Sequence, residues 1–153
     1  MTVSFIKINL FLITCWLGIF SCNAQRDTKE KSPNEMKISI TIGDKILKAS
    51  LYDNATARDL ISRLPLKVEL EDYADNEKIF YPEPKLSTTG APEGFNPSAG
   101  DITYYAPWGD VAIFYKDFKY SRGLISIGEV EQEDIQHLKF SGNRTATFKL
   151  EKE

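Results

Sequence analysis

Cysteine is scarce in this 153-residue chain, histidine is reduced to His137, and no apolar run is as long as a membrane span. Each shortage removes a class of explanation. Both cysteines, Cys15 and Cys22, fall within the first two dozen residues. The rest of the chain therefore cannot be stapled by a disulfide and offers no thiol nucleophile or thiolate metal site. A single imidazole cannot assemble a histidine metal cluster, and no metal or cofactor is expected. Basic residues are not in excess: 19 Lys and Arg face 22 Asp and Glu, which argues against nucleic acid as a partner. Stability must come from apolar burial, and the length beyond about Lys31 suits one domain with its own core.

At the N-terminus a single cation, Lys7, precedes an apolar stretch from Ile8 through Phe20 that ends in small and polar residues. This is the layout of an export signal over residues 1–21. Its apolar centre, about a dozen residues, falls short of the roughly 20 needed to cross a bilayer. Two exits from the signal are open. Ile19-Phe20-Ser21-Cys22 resembles a lipobox, which would make Cys22 the point of lipid attachment and the only link to a membrane. Alternatively, Cys22-Asn23-Ala24 presents small side chains to an ordinary signal peptidase, releasing a soluble product near Gln25. The polar run from Asn23 to Glu35 suits a tether and favours the first exit. On either route the protein is expected to be exported, periplasmic or membrane-anchored, with residues 22–35 as a flexible linker. Loss of Lys7 with the signal takes the net charge from -3 to about -4.

The folded domain is expected over residues 36–153. Met36, Ile38, Ile40 and Ile42 alternate with polar residues, the period of a half-buried strand, and Gly43-Asp44 supplies a tight turn. A return strand follows with Leu47, Ala49 and Leu51 inward. Asn54 can cap a helix whose Ala57, Leu60, Ile61 and Leu64 form one apolar stripe ending at Pro65. Leu66, Val68 and Leu70 mark another half-buried strand, and Ile79-Phe80-Tyr81 a short one stopped by Pro82. Residues 85–100 lose all periodicity and read as a long surface loop. Further strands are predicted over 102–105, 111–115 and 124–130, with one or two helical turns over 131–138. A last strand over 145–150 turns Ala146, Phe148 and Leu150 inward. So many short antiparallel strands manage their edges best by closing on themselves.

The phrase Gly100-Asp101-Ile102-Thr103-Tyr104-Tyr105-Ala106-Pro107-Trp108-Gly109-Asp110, followed by Ala112-Ile113-Phe114-Tyr115, resembles a bacterial cyclophilin-like domain family. Ala55-Thr56-Ala57-Arg58-Asp59-Leu60, Leu64-Pro65, Leu70-Glu71-Asp72-Tyr73 and Lys85-Leu86-Ser87 fit the same family, so the resemblance covers nearly everything from Met36 onward. It implies a mostly β fold: a closed antiparallel cyclophilin-like β-barrel of about eight strands with two short helices. Gly128-Glu129-Val130, followed by Ile135 and Leu138, is similar to the late strand and helical turn of the cyclophilins. Their catalytic phrases, Phe-His-Arg-Val and a Gly-Phe-Met-x-Gln-Gly-Gly-Asp stretch, have no counterpart here, and no arginine takes over that role by position. The fold alone does not carry an activity.

Several residues admit two readings. Trp108, between Pro107 and Gly109, either stacks on a ligand ring or seals the barrel end against the helix. Tyr81, Tyr105, Trp108 and Tyr115 either line an aromatic groove beside the long loop or belong to the core. Arg63 is the arginine to test at that groove. Asp101 and Asp110 are either an acid and base pair or turn residues bonding their own backbone. His137 reads as a helix-end residue, and Asn143-Arg144-Thr145 as a chance glycosylation triplet. The function expected is that of an exported module that binds a peptide segment or small molecule without robust catalysis. The alternatives are a divergent peptidyl-prolyl isomerase acting on envelope proteins and a structural partner that lends its edge strand.

Overall fold

The computed structural model describes residues 34–151; the expected export signal, Cys22 and all but the last two residues of the expected linker lie outside these described residues. Strands β1 (Met36–Ile42) and β2 (Lys45–Leu51) pair as a hairpin around Gly43-Asp44. Gly43 has φ +60°, the positive value that the first central position of a type II′ turn requires. The alternation works as the sequence pattern predicts: Ile38, Ile40, Ile42, Leu47, Ala49 and Leu51 are all buried. Helix α1 (Ala55–Ser62) starts where the Asn54 side chain accepts a bond from the Ala57 N–H at 2.9 Å. Its Ala57 and Leu60 enter the core, and it stops at Arg63, ahead of Pro65.

Seven more strands and a single 3₁₀ turn follow, in addition to β3 (Leu66–Tyr73). They are β4 (Glu77–Phe80), β5 (Gly94–Phe95), β6 (Asp101–Tyr105), β7 (Asp110–Phe114), β8 (Ser121–Arg122), β9 (Leu124–Val130) and β10 (Arg144–Leu150). Eight of the ten strands close in the order β1-β10-β3-β4-β7-β6-β9-β2, antiparallel throughout, and β2 pairs back onto β1. The fold is thus a closed antiparallel eight-stranded barrel. Closure matters physically because it leaves the main sheet no free edge. Among the described residues, a free strand edge therefore remains only at the small β5–β8 ribbon. The second helix expected over 131–138 is reduced to the 3₁₀ turn Ile135–Leu138, whose two apolar ends are buried.

Gly128 shows how tightly the wall is drawn. It pairs with Leu51 on one side and Ile102 on the other, and a Cβ there would come within 2.3 Å of the Ser50 carbonyl oxygen. Only glycine allows that approach. Leu150, expected to point inward, is exposed instead, because it occupies the last rung of β10, opposite Ile38, at the rim of the barrel.

Residues 85–100 form a loop that is long but anchored. The Arg63 guanidinium donates to the Pro84 and Lys85 carbonyls, the Ser87 N–H donates to Asp59 at 2.8 Å, and the Leu86 N–H donates to the buried Tyr104 hydroxyl at 3.1 Å. Farther along, β5 pairs with β8 to make a two-stranded ribbon.

Candidate functional site

Side chains along a strand alternate between the two faces of the sheet, and in this barrel both faces of one wall are apolar. On β4, β6, β7 and β9 the inward set includes Phe80, Tyr104, Val111, Ile113 and Ile125, all part of the main core. The outward set on the same strands is Ile79, Tyr105, Ala112, Phe114 and Leu124. An outward apolar face would ordinarily meet water, but here it forms a second, smaller buried cluster completed by Phe95 of the ribbon. The segment between β7 and β8 also reaches this wall, with the Phe118 ring stacked on Phe114 at 6.1 Å.

Beside this cluster lies a cavity of about 230 Å³. Ile79, Ala112 and Leu124 belong to its floor by strand position, while Tyr73, Tyr105 and Trp108 supply aromatic walls. Trp108 packs edge-on against Tyr73 (5.5 Å, 87°) and Tyr105 (5.6 Å, 76°) and remains 49% exposed. The tight turn that carries it is held by the Gly109 N–H, which donates to the Tyr105 carbonyl at 2.8 Å. Gly109 has φ +86° and lies against the Lys85 stem, so a side chain there would be both strained and obstructed.

Two carboxyl groups share this largely apolar cavity. Asp110 is only 3% exposed, and its Oδ1 is buried with no hydrogen-bond partner among the described residues. Burial pushes its carboxyl up to about 6, against the opposing pull of its own backbone N–H and the Lys85 charge. Glu77, on β4, is pushed up to about 7, chiefly by burial and further by the charge of Asp110. Near neutral pH the pair therefore exchanges protons with the solvent, and each group can act as hydrogen-bond donor or acceptor according to its state. Among the described residues no group of three or more His, Cys, Asp or Glu is placed to hold a metal ion.

The structure brings together two of the five residues named from the sequence as ligand-binding. Tyr105 and Trp108 line the cavity. Tyr81 lies just beyond the end of β4, 49% exposed, outside the lining. Tyr115 turns to the other side of the wall, buried in the main core, where its hydroxyl donates to Asp72 at 2.8 Å. Arg63 is committed to the C-terminal end of α1, paired with Asp59 at 2.9 Å and bonded to the loop carbonyls. Asp101 and Asp110 do not form a pair: they sit at opposite ends of the β6–β7 hairpin, with Asp110 across from Tyr105 and Asp101 across from Glu129. Asp101 accepts a bond from the Ser98 N–H at 2.7 Å, as a turn residue does.

Glu77 is the residue that sequence reasoning missed. The signal that could have found it is the turn Ala74-Asp75-Asn76, where Ala74 and Asp75 both have positive φ and the Asn76 N–H donates to the Tyr73 carbonyl. Reading that turn as a hairpin starts β4 at Glu77, opposite Tyr73, and places Glu77 on the same face as Ile79.

Residues 40–149 match the model of a cyclophilin-like family. The fold is also similar to the solution structure of a hypothetical protein from Archaeoglobus fulgidus, with a TM-score of 0.55 at 16% identity, covering 78% of this chain and 98% of that one. No curated protein matches the chain. With the closed barrel, this match over most of the described residues places the chain in the cyclophilin-like family.

Proposed function

We propose that this cyclophilin-like domain is a binding module, exported by its N-terminal signal, that holds a side chain of a peptide segment or a small molecule in the outer-wall cavity. The observation that carries this reading is the buried Asp110 oxygen without a partner, set in an aromatic-walled cavity. A buried acceptor left unsatisfied costs free energy, and a donor brought by a ligand recovers it. The aromatic walls would contribute contact area to the bound group, which is the composition of small-ligand sites in general. For an isomerase the same cavity lacks a key element: no arginine is among its described lining residues, and Arg63 is engaged elsewhere.

The test is a titration of the purified protein with a panel of short peptides and amino-acid amides, followed by NMR at the Trp108 indole N–H and the Tyr105 backbone. Ligands should move these signals together, and Trp108→Ala should weaken binding at least about tenfold. Equal binding by Trp108→Ala, or shifts confined to another part of the barrel, would falsify the reading.

A further inference from the structure

We infer that the outer-wall cavity recognises an organic cation, an ammonium or guanidinium head on a short apolar or aromatic stem. The inference rests on the reading that this cavity is a binding site and names the chemistry of its occupant.

Three features of the cavity converge on positive charge. Its described lining contains two acids, Glu77 and Asp110, and no Lys, Arg or His. Asp110 is almost wholly buried and its Oδ1 has no partner among the described residues, whereas Asp72, Asp75 and Asp59 are paired with Lys78, Lys116 and Arg63. Lys85, whose charge acts on Asp110, lies outside the described lining and reaches toward the Pro107 carbonyl at 3.5 Å. The third feature is aromatic: Trp108 stands nearly perpendicular to both Tyr73 and Tyr105. Rings set at right angles beside a carboxylate make a corner in which a cation meets both π-surface and negative charge. A neutral hydroxyl or amide could satisfy one oxygen of Asp110, but it would bring no counter-charge to whichever carboxyls of the pair are ionised. A bound cation supplies that counter-charge and offsets the cost of burying Asp110 in its charged form.

Protonation supplies an independent handle. Burial raises both carboxyls toward neutral pH, Asp110 to about 6 and Glu77 to about 7. The other titratable groups coupled to Asp110 are Lys85, Tyr81 and Tyr104; Glu71 and Tyr73 act in turn on Tyr81, and Arg63 and Asp59 on Tyr104. Of these, Tyr81 is raised further from neutrality by burial and by Asp110. A cation that needs the ionised carboxylates should bind more tightly as pH rises from 5 to 8 and should release protons on binding.

The decisive experiment compares benzylamine and benzyltrimethylammonium with benzyl alcohol, titrated into the purified protein and read at the Trp108 indole N–H by NMR. At pH 7.5 the two cations should bind at least about tenfold more tightly than the alcohol. That gap should narrow at pH 5, and it should collapse to about twofold in Asp110→Asn and in Glu77→Gln. Glu77 is only partly buried, so Glu77→Gln keeps the test valid if Asp110→Asn alters the fold. If benzyl alcohol binds at the Trp108 corner as tightly as the amines, the cation inference is overturned while the binding module stands. If none of the probes and no member of the peptide panel moves the Trp108 and Tyr105 signals, both fall.

Discussion

Glu77 and Lys78 are neighbours on one strand, yet their surroundings are opposite. The pleat sends Lys78 to the inner face of β4 and Glu77 to the outer face. Lys78 is fully buried, and its Nζ donates to Asp72 and to the Phe140 carbonyl, each at 2.5 Å, while lying over the Phe140 ring at 4.0 Å. The Tyr115 hydroxyl donates to the same Asp72 carboxylate. At this end of the barrel a buried charge has been given every partner it needs. Across the wall the reverse holds: two carboxyls are drawn out of water, and Asp110 Oδ1 has no partner among the described residues. A satisfied buried charge reads as architecture and an unsatisfied one as a place kept for something else.

The largest expected effect breaks the satisfied side. Lys78→Ala removes the cation, leaves the Phe140 carbonyl without the Lys78 donor and Asp72 with the Tyr115 hydroxyl but no counter-charge from Lys78, and opens a void at the barrel end. It should lower unfolding stability in urea by about 3 kcal/mol or more. Lys78→Met, which keeps the apolar stem, should recover part of that loss. Ligand titrations at Trp108 should be unchanged in whichever variant remains folded, since Lys78 faces away from the cavity. A cost below about 0.5 kcal/mol for Lys78→Ala, the range of ordinary surface substitutions, would remove the distinction between the two sides.

Stability against pH sharpens the comparison, because the two regions titrate with opposite sign. The pocket acids have folded values raised above those of the unfolded chain, so the folded state binds their protons more readily. Their stabilising contribution is fully present below the ordinary carboxylate range and is lost as pH rises through about 6 for Asp110 and about 7 for Glu77. Asp72 behaves the other way: the Lys78 hydrogen bond, reinforced by Tyr115, holds it below its ordinary value. Its contribution is present at neutral pH and lost on acidification. Chemical denaturation from pH 5 to 8 should therefore show a decline that Asp110→Asn reduces by about 1 kcal/mol. A flat profile in the unmodified protein would mean that the pocket carboxyls are solvated after all.

The first hairpin of the barrel was legible because its strands obey period two. Ile38, Ile40, Ile42, Leu47, Ala49 and Leu51 alternate cleanly, and each is buried. The doubly apolar β7 could be read as central, and it lies between β4 and β6. The site was harder to read for the same reason. Where both faces of a wall are apolar, alternation still says that Tyr104 and Tyr105 part company, but not which face carries the cavity. Tyr115 looks as suitable for a groove as Tyr105, and only the three-dimensional path of β7 sends it inward. The carboxyls illustrate a second limit. Asp110 stood out as a turn residue, but the cavity it shares is assembled with Leu124 and Phe118 from other segments. Arg63 carried the charge an isomerase site would want, and its spacing of four from Asp59 instead closes a local ion pair at the end of α1.

The smallest stability effect is expected at Trp108, where it separates packing from recognition. A tryptophan truncated in a core costs about 3–5 kcal/mol. Trp108 is half exposed, and its ring contacts are two edge-to-face pairs with Tyr73 and Tyr105, which rest on the outside of the barrel wall. Trp108→Ala should therefore cost only about 1 kcal/mol in thermal or urea unfolding while removing a wall of the cavity. Trp108→Phe should keep most of the stability and part of the binding, since a smaller ring still offers a π-face. Near-native stability joined to lost ligand affinity would place the indole at the binding surface. A loss of 3 kcal/mol or more would instead make it a structural cover, and the contrast between the two faces of β4 would then rest on Glu77 and Asp110 alone.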